Sequence, residues 1–384
     1  MSGRKSNKHS KSCPEAGVDS GRRAVLAGAA GGALGSLFAA GPAAAASGIG
    51  QFAPAAAGGC AHCTQLLAQA MSGSRAQLAQ AAPATQPWWP SRWGADDQAG
   101  ASNWINPAKI LDALSLVKTG KTYELGRVYE SAMPKFGDRA FTLRIPGSPT
   151  GGPFGRNGVI WFDEFLATEI GQVGTQFDGL GHIGVAVRGQ DKTEMRFYNG
   201  LSAAEIGQPN GLAKLGIEHV KPIITRGVLL DITAVRGRAL NLGEEVTVAD
   251  IEAALQRQGL TADAVRPGDA VFFLTGWGAL WNQDNAQYGK GEPGIGVAAG
   301  DWCIQRQVCV VGADSWGVEV VPNPDQNLAF PVHQNLITRH GIFIHENLDL
   351  APLAADRAWQ FAYVMLPLRI KGATGSPGRP IALV

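Results

Sequence analysis

The segment from Gln172 to His182 places the strongest constraint on how this 384-residue chain folds. Four polar side chains occur at even separations, so an extended backbone would direct all of them to one face of a strand; they are Gln172, Gln176, Asp178 and His182. Glycines at 174, 179 and 181 allow tight bends between them. Converging oxygen and nitrogen donors suit a metal ion or a polarised water. The alternative is an ordinary strand and turn, with Asp178 capping a loop and His182 at the surface.

Further candidate donors lie in the C-terminal half of the chain. His333 occurs in Phe-Pro-Val-His, and Glu346 follows an apolar run that predicts a buried strand. A buried carboxylate needs a partner, which a metal or a salt bridge would supply. His345 is a competing donor at the same strand end. Asp231 and Asp314 also follow apolar strands, and either is a candidate to orient a histidine ligand.

Local patterns predict an α/β fold with a mixed sheet. Asn106 and Pro107 are typical of a helix start, and this helix is expected to run to Lys118 before Gly120, with an apolar face of Ile110, Leu111, Leu114 and Val117. A second helix is expected over Thr247–Gln258. Apolar runs predict strands at Val228–Asp231, Val271–Thr275, Val308–Val311 and Ile342–Ile344. Together with 51 glycines, they indicate one α/β domain over residues 89–384.

The N-terminal part of the chain has the composition of a targeting segment. Residues 1–46 combine basic residues, the pair Arg22-Arg23 and an uncharged Ala/Gly-rich run, which is typical of a signal peptide for the twin-arginine export route. A transmembrane anchor is the alternative, since the run is long enough to span a bilayer. Residues 47–88 are rich in Ala, Gln, Gly and Ser and predict a flexible linker. The mature protein is therefore expected to be periplasmic or secreted, without a stable membrane span.

Charge and cysteine content exclude several classes of protein. The net charge of +1 gives no general attraction for nucleic acid or anionic membranes. Cys60 and Cys63 form one C-x-x-C, but no second pair completes a zinc site, and Thr64 replaces the histidine of a haem-attachment motif. A redox or disulfide role for this pair remains an alternative in an exported protein.

Several motifs in order resemble the cyclase-like metal-dependent hydrolases, the family of bacterial kynurenine formamidase and isatin hydrolase. The family signature H-x-G-T-H-x-D-x-x-x-H is similar to Gln172–His182, here in the form Gly-Thr-Gln-x-Asp-Gly of the longer members. Similar segments follow at Leu274–Gly278, Val311–Trp316, Phe330–His333, Gly341–Asp349 and Gly372–Pro377. The resemblance implies a single swivelling β/β/α domain, often in a homo-oligomer, with one or two divalent metals.

The resemblance also implies which residues form the site. Asp178 is similar to the family's metal-bridging aspartate, and His182, His333 and Glu346 match further ligands. Two signature histidines are replaced by Gln172 and Gln176. An amide oxygen is a poorer zinc ligand than imidazole and suits harder ions such as manganese. One divalent ion, zinc or manganese, is therefore expected rather than two, with Gln176 as a weaker ligand or a contact to water or substrate.

The expected activity is metal-dependent hydrolysis of an amide, N-formyl, cyclic amide or lactone bond in a small molecule, as in an arylformamidase. His182 or Glu346 would transfer the proton that hydrolysis requires. Phe177, Trp277, Trp316 and Gln172 are the candidate substrate contacts, although core packing is the alternative for the aromatic residues. A metal-poor relative that binds a small molecule without catalysis is the second hypothesis, because both glutamines are weak ligands.

Overall fold

A computed structural model describes residues 87–189 and 191–384, all of which belong to one compact unit. Its strands are β1 (Thr122–Glu124), β2 (Phe141–Arg144), β3 (Gly151–Phe154), β4 (Val159–Trp161), β5 (Phe165–Thr168), β6 (Gln176–Asp178), β7 (Val185–Ala186), β8 (Met195–Arg196), β9 (Ile223–Asp231), β10 (Glu245–Val246), β11 (Ala270–Leu274), β12 (Gly294–Ile295), β13 (Val310–Ala313), β14 (Phe343–Glu346), β15 (Gln360–Met365), β16 (Gly375–Pro377) and β17 (Ile381–Leu383).

The α-helices are short, and most of them lie in the C-terminal half. They are α1 (Pro107–Leu114), α2 (Ala203–Ile206), α3 (Ile232–Arg236), α4 (Val248–Arg257), α5 (Asn285–Tyr288), α6 (Val297–Gln305), α7 (Pro331–His333) and α8 (Ala351–Ala355). Helix α7 continues directly into a π-helical segment, Gln334–Arg339.

Nine of these strands form one mixed sheet in the described part of the chain, in the order β1-β17-β15-β9-β11-β13-β14-β6-β16. The central strands β9, β11, β13 and β14 are parallel, whereas the pairs on either side of them are antiparallel. This arrangement confirms the predicted α/β fold with a mixed sheet. Strand β6 pairs with β14 on one side and with β16 on the other, so the predicted site segment lies within the sheet.

The hydrophobic pattern explains the central strands. β11 is a continuous run of buried aliphatic and aromatic residues, as expected for a parallel strand covered on both faces, and β9 contains such a run at 228–230. The predicted strands at 271–275, 308–311 and 342–344 all correspond to observed ones, shifted by one or two residues. The 228–231 prediction covers only the end of the nine-residue β9, because Thr225 and Arg226 interrupt the apolar pattern although both are buried.

Both predicted helices are present, with one difference in length. α4 is capped at Thr247 as expected. α1 begins after Asn106, whose side chain accepts a hydrogen bond from the Lys109 N–H, but it ends at Leu114 rather than Lys118. Ser115 donates its hydroxyl back to the Asp112 carbonyl, a contact that competes with continued helix. The expected apolar face is also wrong in part, since Leu111 is 68% exposed.

Four strands near the predicted site segment lie outside the large sheet. β2 pairs with β5 and β3 pairs with β4, both antiparallel, and these pairs form separate two-stranded sheets. We refer to residues 141–168, which contain all four strands, as the arm. No sequence pattern predicted it.

The predicted signal peptide, almost all of the predicted linker and the Cys60–Cys63 pair lie outside the described residues. Within residues 87–189 and 191–384, none of the helices combines the length and the apolar character that crossing a bilayer requires.

Candidate metal centre

Two neighbouring strands and one short helix position three candidate ligands. Asp178 on β6 lies opposite Ile344 on β14, and Gln176 lies opposite Glu346. Side chains of Asp178 and Gln176 share a face because they are two residues apart on a strand. His333 ends α7, which starts at Pro331. All three candidate ligands, Asp178, His333 and Glu346, are buried.

The bend before β6 depends on a glycine. Gly174 has φ of 65°, and a Cβ there would lie 2.6 Å from the Tyr129 ring, so a side chain would be strained and would collide. Its carbonyl accepts a hydrogen bond from Asn347 Nδ2 at 2.7 Å. Thr175 Oγ1 donates to the Asn347 carbonyl at 2.9 Å. These bonds hold the start of β6 against the end of β14.

Ligand atoms of the three residues converge. One atom from each of Asp178, His333 and Glu346 lies within 4.8 Å of the other two. His333 Nε2 is 3.3 Å from Glu346 Oε1 and 3.8 Å from Asp178 Oδ2. Among the described residues, no other group of three or more His, Cys, Asp or Glu side chains converges in this way.

Glu319 fixes the orientation of His333. Its Oε1 lies 2.5 Å from His333 Nδ1, and the same carboxylate accepts hydrogen bonds from the backbone N–H groups of Val332 and His333 at 3.1 and 2.9 Å. With the proton of a neutral imidazole on Nδ1, the Nε2 lone pair points toward Asp178 and Glu346. A carboxylate behind a histidine in this way is a recurrent feature of metal sites.

The converging atoms fit a cation. Asp178 Oδ2 is buried and has no hydrogen-bond partner, which is costly for a carboxylate oxygen. It faces two further acceptors, the Nε2 lone pair of His333 and the Glu346 carboxylate. Two carboxylates and an imidazole are suitable ligands for zinc or manganese. A divalent ion would therefore satisfy all three at once.

The pKa directions reflect how many acidic groups are buried together. Burial and, next, the Asp178 charge raise the pKa of Glu346, His333 opposes both, and the net pKa is about 8. Burial lowers the pKa of His333, but hydrogen bonds and charges of Glu319 and Glu346 outweigh it, so the net pKa lies well above the ordinary value. Without a metal, a proton bound by these groups therefore reduces the repulsion between the Glu346 and Asp178 carboxylates. A bound cation would remove the same repulsion.

Both glutamines contact a candidate ligand through their amide N–H groups. Gln176 Nε2 donates to Glu346 Oε2 at 2.6 Å, and Gln172 Nε2 lies 3.4 Å from Asp178 Oδ1. Gln172 Oε1 is buried without a hydrogen-bond partner. Gln176 therefore supports a ligand as a donor in this structure, rather than facing the centre with its oxygen.

His182 lies beside the three converging residues but outside their group. Its Nε2 is 3.9 Å from Asp178 Oδ2, and its side chain is 18% exposed. Burial lowers its pKa, against the opposing charge of Asp178. His182 thus borders the centre and is partly open to solvent.

A pocket opens onto this centre. It is open to solvent and is lined by Gln172, Gln176, Glu346, Trp316, Phe136 and Arg139, among others. The Phe136 and Trp316 rings stack with centroids 4.5 Å apart. Arg139 lies over the Phe136 ring at 5.4 Å and has no hydrogen-bond or ion-pair partner among the described residues. The pocket lining therefore combines two stacked aromatic rings, a guanidinium over one of them and a carboxylate of the buried acidic centre.

A buried carboxyl group holds Trp316 in place. Glu292 Oε2 accepts a hydrogen bond from the Trp316 backbone N–H at 2.6 Å, and the indole Nε1 donates to the Tyr288 carbonyl at 3.1 Å. Burial raises the pKa of Glu292 well above its ordinary value, and the nearby Glu346 charge adds to this.

Two of the predicted substrate contacts are core residues. Phe177 lies between Gln176 and Asp178 on the strand and therefore points to the opposite face, where it is fully buried against Phe343 and His345. Trp277 is 4% exposed and donates its indole N–H to the Tyr288 carbonyl. The expectation that these two line the pocket is wrong, whereas Trp316 and Gln172 do line it.

Three other candidate donors have separate roles. His345 is buried on the Phe177 side of the sheet, with Nδ1 2.5 Å from the Tyr363 hydroxyl. Asp231 caps α3, and Asp314 accepts hydrogen bonds from the Thr275, Gly276 and Gly278 N–H groups. Neither aspartate orients His333; Glu319 does so instead. Glu319 could have been identified from the sequence, since it is an acid within the apolar run at 318–321.

Comparisons with known proteins show the family and the fold. The family model described as putative cyclase matches residues 84–320. A comparison with curated proteins gave no match. Among solved structures, one described as a novel cyclase is 34% identical, covers 77% of this chain and 98% of its own, and has a TM-score of 0.66. Isatin hydrolase A from Ralstonia solanacearum is 20% identical, covers 79% of this chain and 100% of its own, and has a TM-score of 0.51, a likeness of fold.

The family match covers more than half of the sequence, and a third of the residues are shared over most of the solved cyclase. The matched region includes Asp178, His182 and Glu319, while His333 and Glu346 lie beyond the family model but within the described fold. This chain is a member of the cyclase family.

Proposed function

We propose that this protein is a metal-dependent hydrolase that cleaves an amide C–N bond in a small molecule, with N-formyl and cyclic amide bonds as the candidate classes and the C–O bond of a lactone as a related one. The observation that carries the proposal is the convergence of Asp178, His333 and Glu346, with Asp178 Oδ2 buried and unpartnered. The similarity in fold to an isatin hydrolase supports it, because isatin is a cyclic amide fused to an aromatic ring.

Different residues around the centre would perform different parts of the hydrolysis reaction. Asp178, His333 and Glu346 would hold a divalent ion, which would supply the Lewis acidity that lowers the pKa of water and polarises a carbonyl. Glu319 keeps the His333 Nε2 lone pair directed at the centre. His182 is free of the converging group and is partly exposed, so it is placed to take a proton and return it to the leaving nitrogen.

The pocket wall suits a flat substrate. Trp316 and Phe136 offer stacked aromatic surface beside the centre, and Arg139 offers a positive charge at its edge. Hydrolysis of an amide releases a carboxylate, which an unpaired guanidinium binds well. An aryl-formamide or a cyclic aryl amide fits these features, and we propose this substrate class.

The glutamines favour one ion over two. Gln172 and Gln176 donate N–H groups to Asp178 and Glu346, so they partly neutralise these carboxylates without a second cation. A single zinc or manganese ion is therefore the proposed cofactor. The same glutamines motivate the alternative function, a family member that binds a small molecule without a metal and without catalysis.

Metal analysis separates these two functions. The purified chain is analysed for bound metals, stripped with a chelator, and assayed with formyl-anilide, cyclic imide and lactone substrates before and after adding zinc or manganese. The hydrolase predicts about one equivalent of metal and hydrolysis that returns only with the ion. Protein without metal affinity that still binds aromatic amides, with no turnover, would establish the alternative.

We also propose export by the twin-arginine route, which rests on the sequence of residues 1–46. Replacement of Arg22 and Arg23 with lysine should retain the protein in the cytoplasm, because this route recognises the arginine pair. Cell fractionation measures the distribution, and Arg4→Lys is the control that changes a basic residue outside the pair. Equal export of all three proteins would exclude the proposal.

A further inference from the structure

The π-helical segment Gln334–Arg339 begins at the residue after His333 and therefore continues directly from the centre. Three of its six residues are fully buried: Leu336, Ile337 and Thr338. Asn335 Nδ2 donates to Asp301 Oδ1 at 2.7 Å, which attaches the segment to α6. Short π-helical turns are rare and often occur at functional sites. The segment is thus fixed in the interior, and a loop that it contacts has a firm support.

Two side chains of this segment contact the loop that carries His182. Gln334 Nε2 donates to the Gly184 carbonyl at 3.1 Å, and Thr338 Oγ1 donates to the Ile183 carbonyl at 2.8 Å. Gln334 and Thr338 are four residues apart, so both lie on the same side of the helical segment. The accepting carbonyls belong to the two residues that directly follow His182. The segment that follows one histidine of the site therefore holds the residues that follow the other.

The Thr338 hydroxyl makes a longer-range contact than a helical threonine needs. Such a hydroxyl can be satisfied by the carbonyl four residues earlier in the same helix, without any other segment. Thr338 instead donates to a carbonyl 155 residues away in the sequence. Because Thr338 is fully buried, a hydroxyl that lost this partner would be costly. The bond to Ile183 therefore resists separation of the two segments.

The loop is also closely packed at Gly184. A Cβ there would lie 2.9 Å from the Arg196 carbonyl oxygen and 3.0 Å from the Phe197 ring, so a side chain would displace one of them. At the start of the loop, the His182 N–H donates to the Gly179 carbonyl at 3.1 Å. Close packing at Gly184 and the two bonds from the π-helical segment together fix the backbone on the C-terminal side of His182.

We propose that Gln334 and Thr338 are positioning residues that hold His182 beside the candidate metal centre. His182 Nε2 lies 3.9 Å from Asp178 Oδ2, and His333 Nε2 lies 3.8 Å from the same oxygen. The effect on catalysis rests on the proposed hydrolase function, in which His182 transfers the proton. Proton transfer requires a close approach, and a displacement of about 1 Å can lower a rate by about 100-fold.

Thr338→Val tests this role, because it removes the hydroxyl and keeps the shape of the side chain. In the metal-loaded protein, kcat for a formyl-anilide should fall about tenfold or more, since His182 loses a contact that sets its position. KM and zinc affinity should change by less than about twofold, because the three converging ligands are untouched. Gln334→Met should act in the same direction, and Thr338→Ser, which retains the hydroxyl, should restore most of the parent kcat. An unchanged kcat in Thr338→Val would overturn the proposal.

Thr225→Val is the matched control. The Thr225 hydroxyl is also fully buried and also donates to a backbone carbonyl, that of Gly268, at 2.6 Å. Thr225 lies on β9, which β11, β13 and β14 separate from β6 in the sheet. Thr225→Val should therefore leave kcat and KM at the parent values. A fall in kcat as large as that of Thr338→Val would attribute the loss to any missing buried hydrogen bond and would overturn the proposal.

A second readout does not depend on activity. The protein is isotope-labelled at its seven histidines, stripped of metal with a chelator and observed by NMR at a fixed pH. Thr338→Val should shift or broaden the ring signals of His182 and leave those of His333 in place, because Glu319 holds His333 separately. Unchanged His182 signals would overturn the proposal, and so would an equally large change at His333, which would mean that the variant disturbs the whole centre. Shifted His182 signals in a protein that hydrolyses none of the substrates would support the positioning role and contradict the proposed function instead.

Discussion

At the residue scale, Gln172 lies where an imidazole would add a ligand. Its Nε2 is 3.4 Å from Asp178 Oδ1, and its oxygen is buried without a partner. Gln172→His should tighten zinc retention at least tenfold, because imidazole is a much better zinc ligand than an amide. Competition with a chelator measures it. Gln208→His, at an exposed position, is the control, and equal retention in both variants would show that Gln172 does not adjoin the metal.

Glu319 acts on the centre through His333. Glu319→Gln should weaken metal affinity by about 10–100-fold, because a neutral amide no longer fixes the imidazole through a charged hydrogen bond. Titration with a fluorescent zinc competitor gives the affinity, and thermal unfolding shows whether α7 is still formed. The exposed Glu252→Gln should change neither. Unchanged affinity in Glu319→Gln would mean that packing alone orients His333.

Arg139 lines the pocket, lies over the Phe136 ring and forms no hydrogen bond or ion pair with another described residue. Arg139→Gln should weaken inhibition by the carboxylate product about tenfold or more, since a charge-assisted hydrogen bond contributes about 1.5–3 kcal/mol. Inhibition by a neutral analogue of the same shape should be unaffected. Arg257→Gln, at an exposed position, serves as the control. Equal losses for the charged and neutral inhibitors would indicate that Arg139 shapes the pocket without binding an anion.

A site residue could be predicted from the sequence when the pattern that identifies it lies within a few neighbouring residues. Glu346 was identifiable because an acid at the end of an apolar strand needs a partner, and Asp178 because polar side chains at even separations share one face of a strand. The burial of Phe177 on the opposite face could also have been predicted. Side chains alternate along a strand, and Phe177 lies between two residues that face the centre. Glu319 was harder to identify, because its role depends on its contact with His333. That residue lies 14 residues further along the chain, and α7 brings it next to Glu319.

At the scale of elements, helices and strands with strong local periodicity were predictable, and those that depend on distant partners were not. α4 is set by its own cap and apolar face. The π-helical segment Gln334–Arg339 and the arm have no comparable local signal. Arg226 interrupts the apolar pattern of β9, so the sequence predicted a shorter strand. Arg226 is nevertheless buried in β9 because it forms an ion pair with Asp269, a residue that is distant in the sequence.

That ion pair leads to a stability prediction. Asp269 is fully buried and joins α1, β9 and β11 through Lys109 Nζ, Arg226 Nε at 3.0 Å and the Arg266 backbone N–H at 2.8 Å. Asp269→Ala should lower the free energy of unfolding by about 3–5 kcal/mol, because it leaves two cations with no counter-charge in the interior. Urea denaturation measures the change.

Asp112 provides the comparison for Asp269. It forms an exposed ion pair with Arg266 at 2.7 Å. Asp112→Ala should lower the free energy of unfolding by less than about 1 kcal/mol, since water screens an exposed pair. Similar losses in the two variants would show that the buried network contributes no more than a surface pair.

At the scale of the whole molecule, the centre joins segments that are far apart in sequence. Asp178 lies on β6, and its partners His333 and Glu346 follow more than 150 residues later, after the central strands β9, β11 and β13. The site therefore forms only when the sheet is complete, and an ion that binds it stabilises the folded chain over the unfolded one. Stability should then depend on metal even without substrate.

Thermal unfolding tests this coupling. Adding zinc or manganese to chelator-treated protein at 100 times the dissociation constant should stabilise the fold by about 2.7 kcal/mol and raise Tm by several degrees. Asp178→Asn should abolish the rise, because the ion loses its central carboxylate, whereas Asp96→Asn at the surface should retain it. If adding metal does not change the Tm of the parent protein, this would argue against a metal centre and in favour of a metal-poor protein that only binds a small molecule. A metal-dependent rise that persists in Asp178→Asn would place the ion elsewhere in the fold.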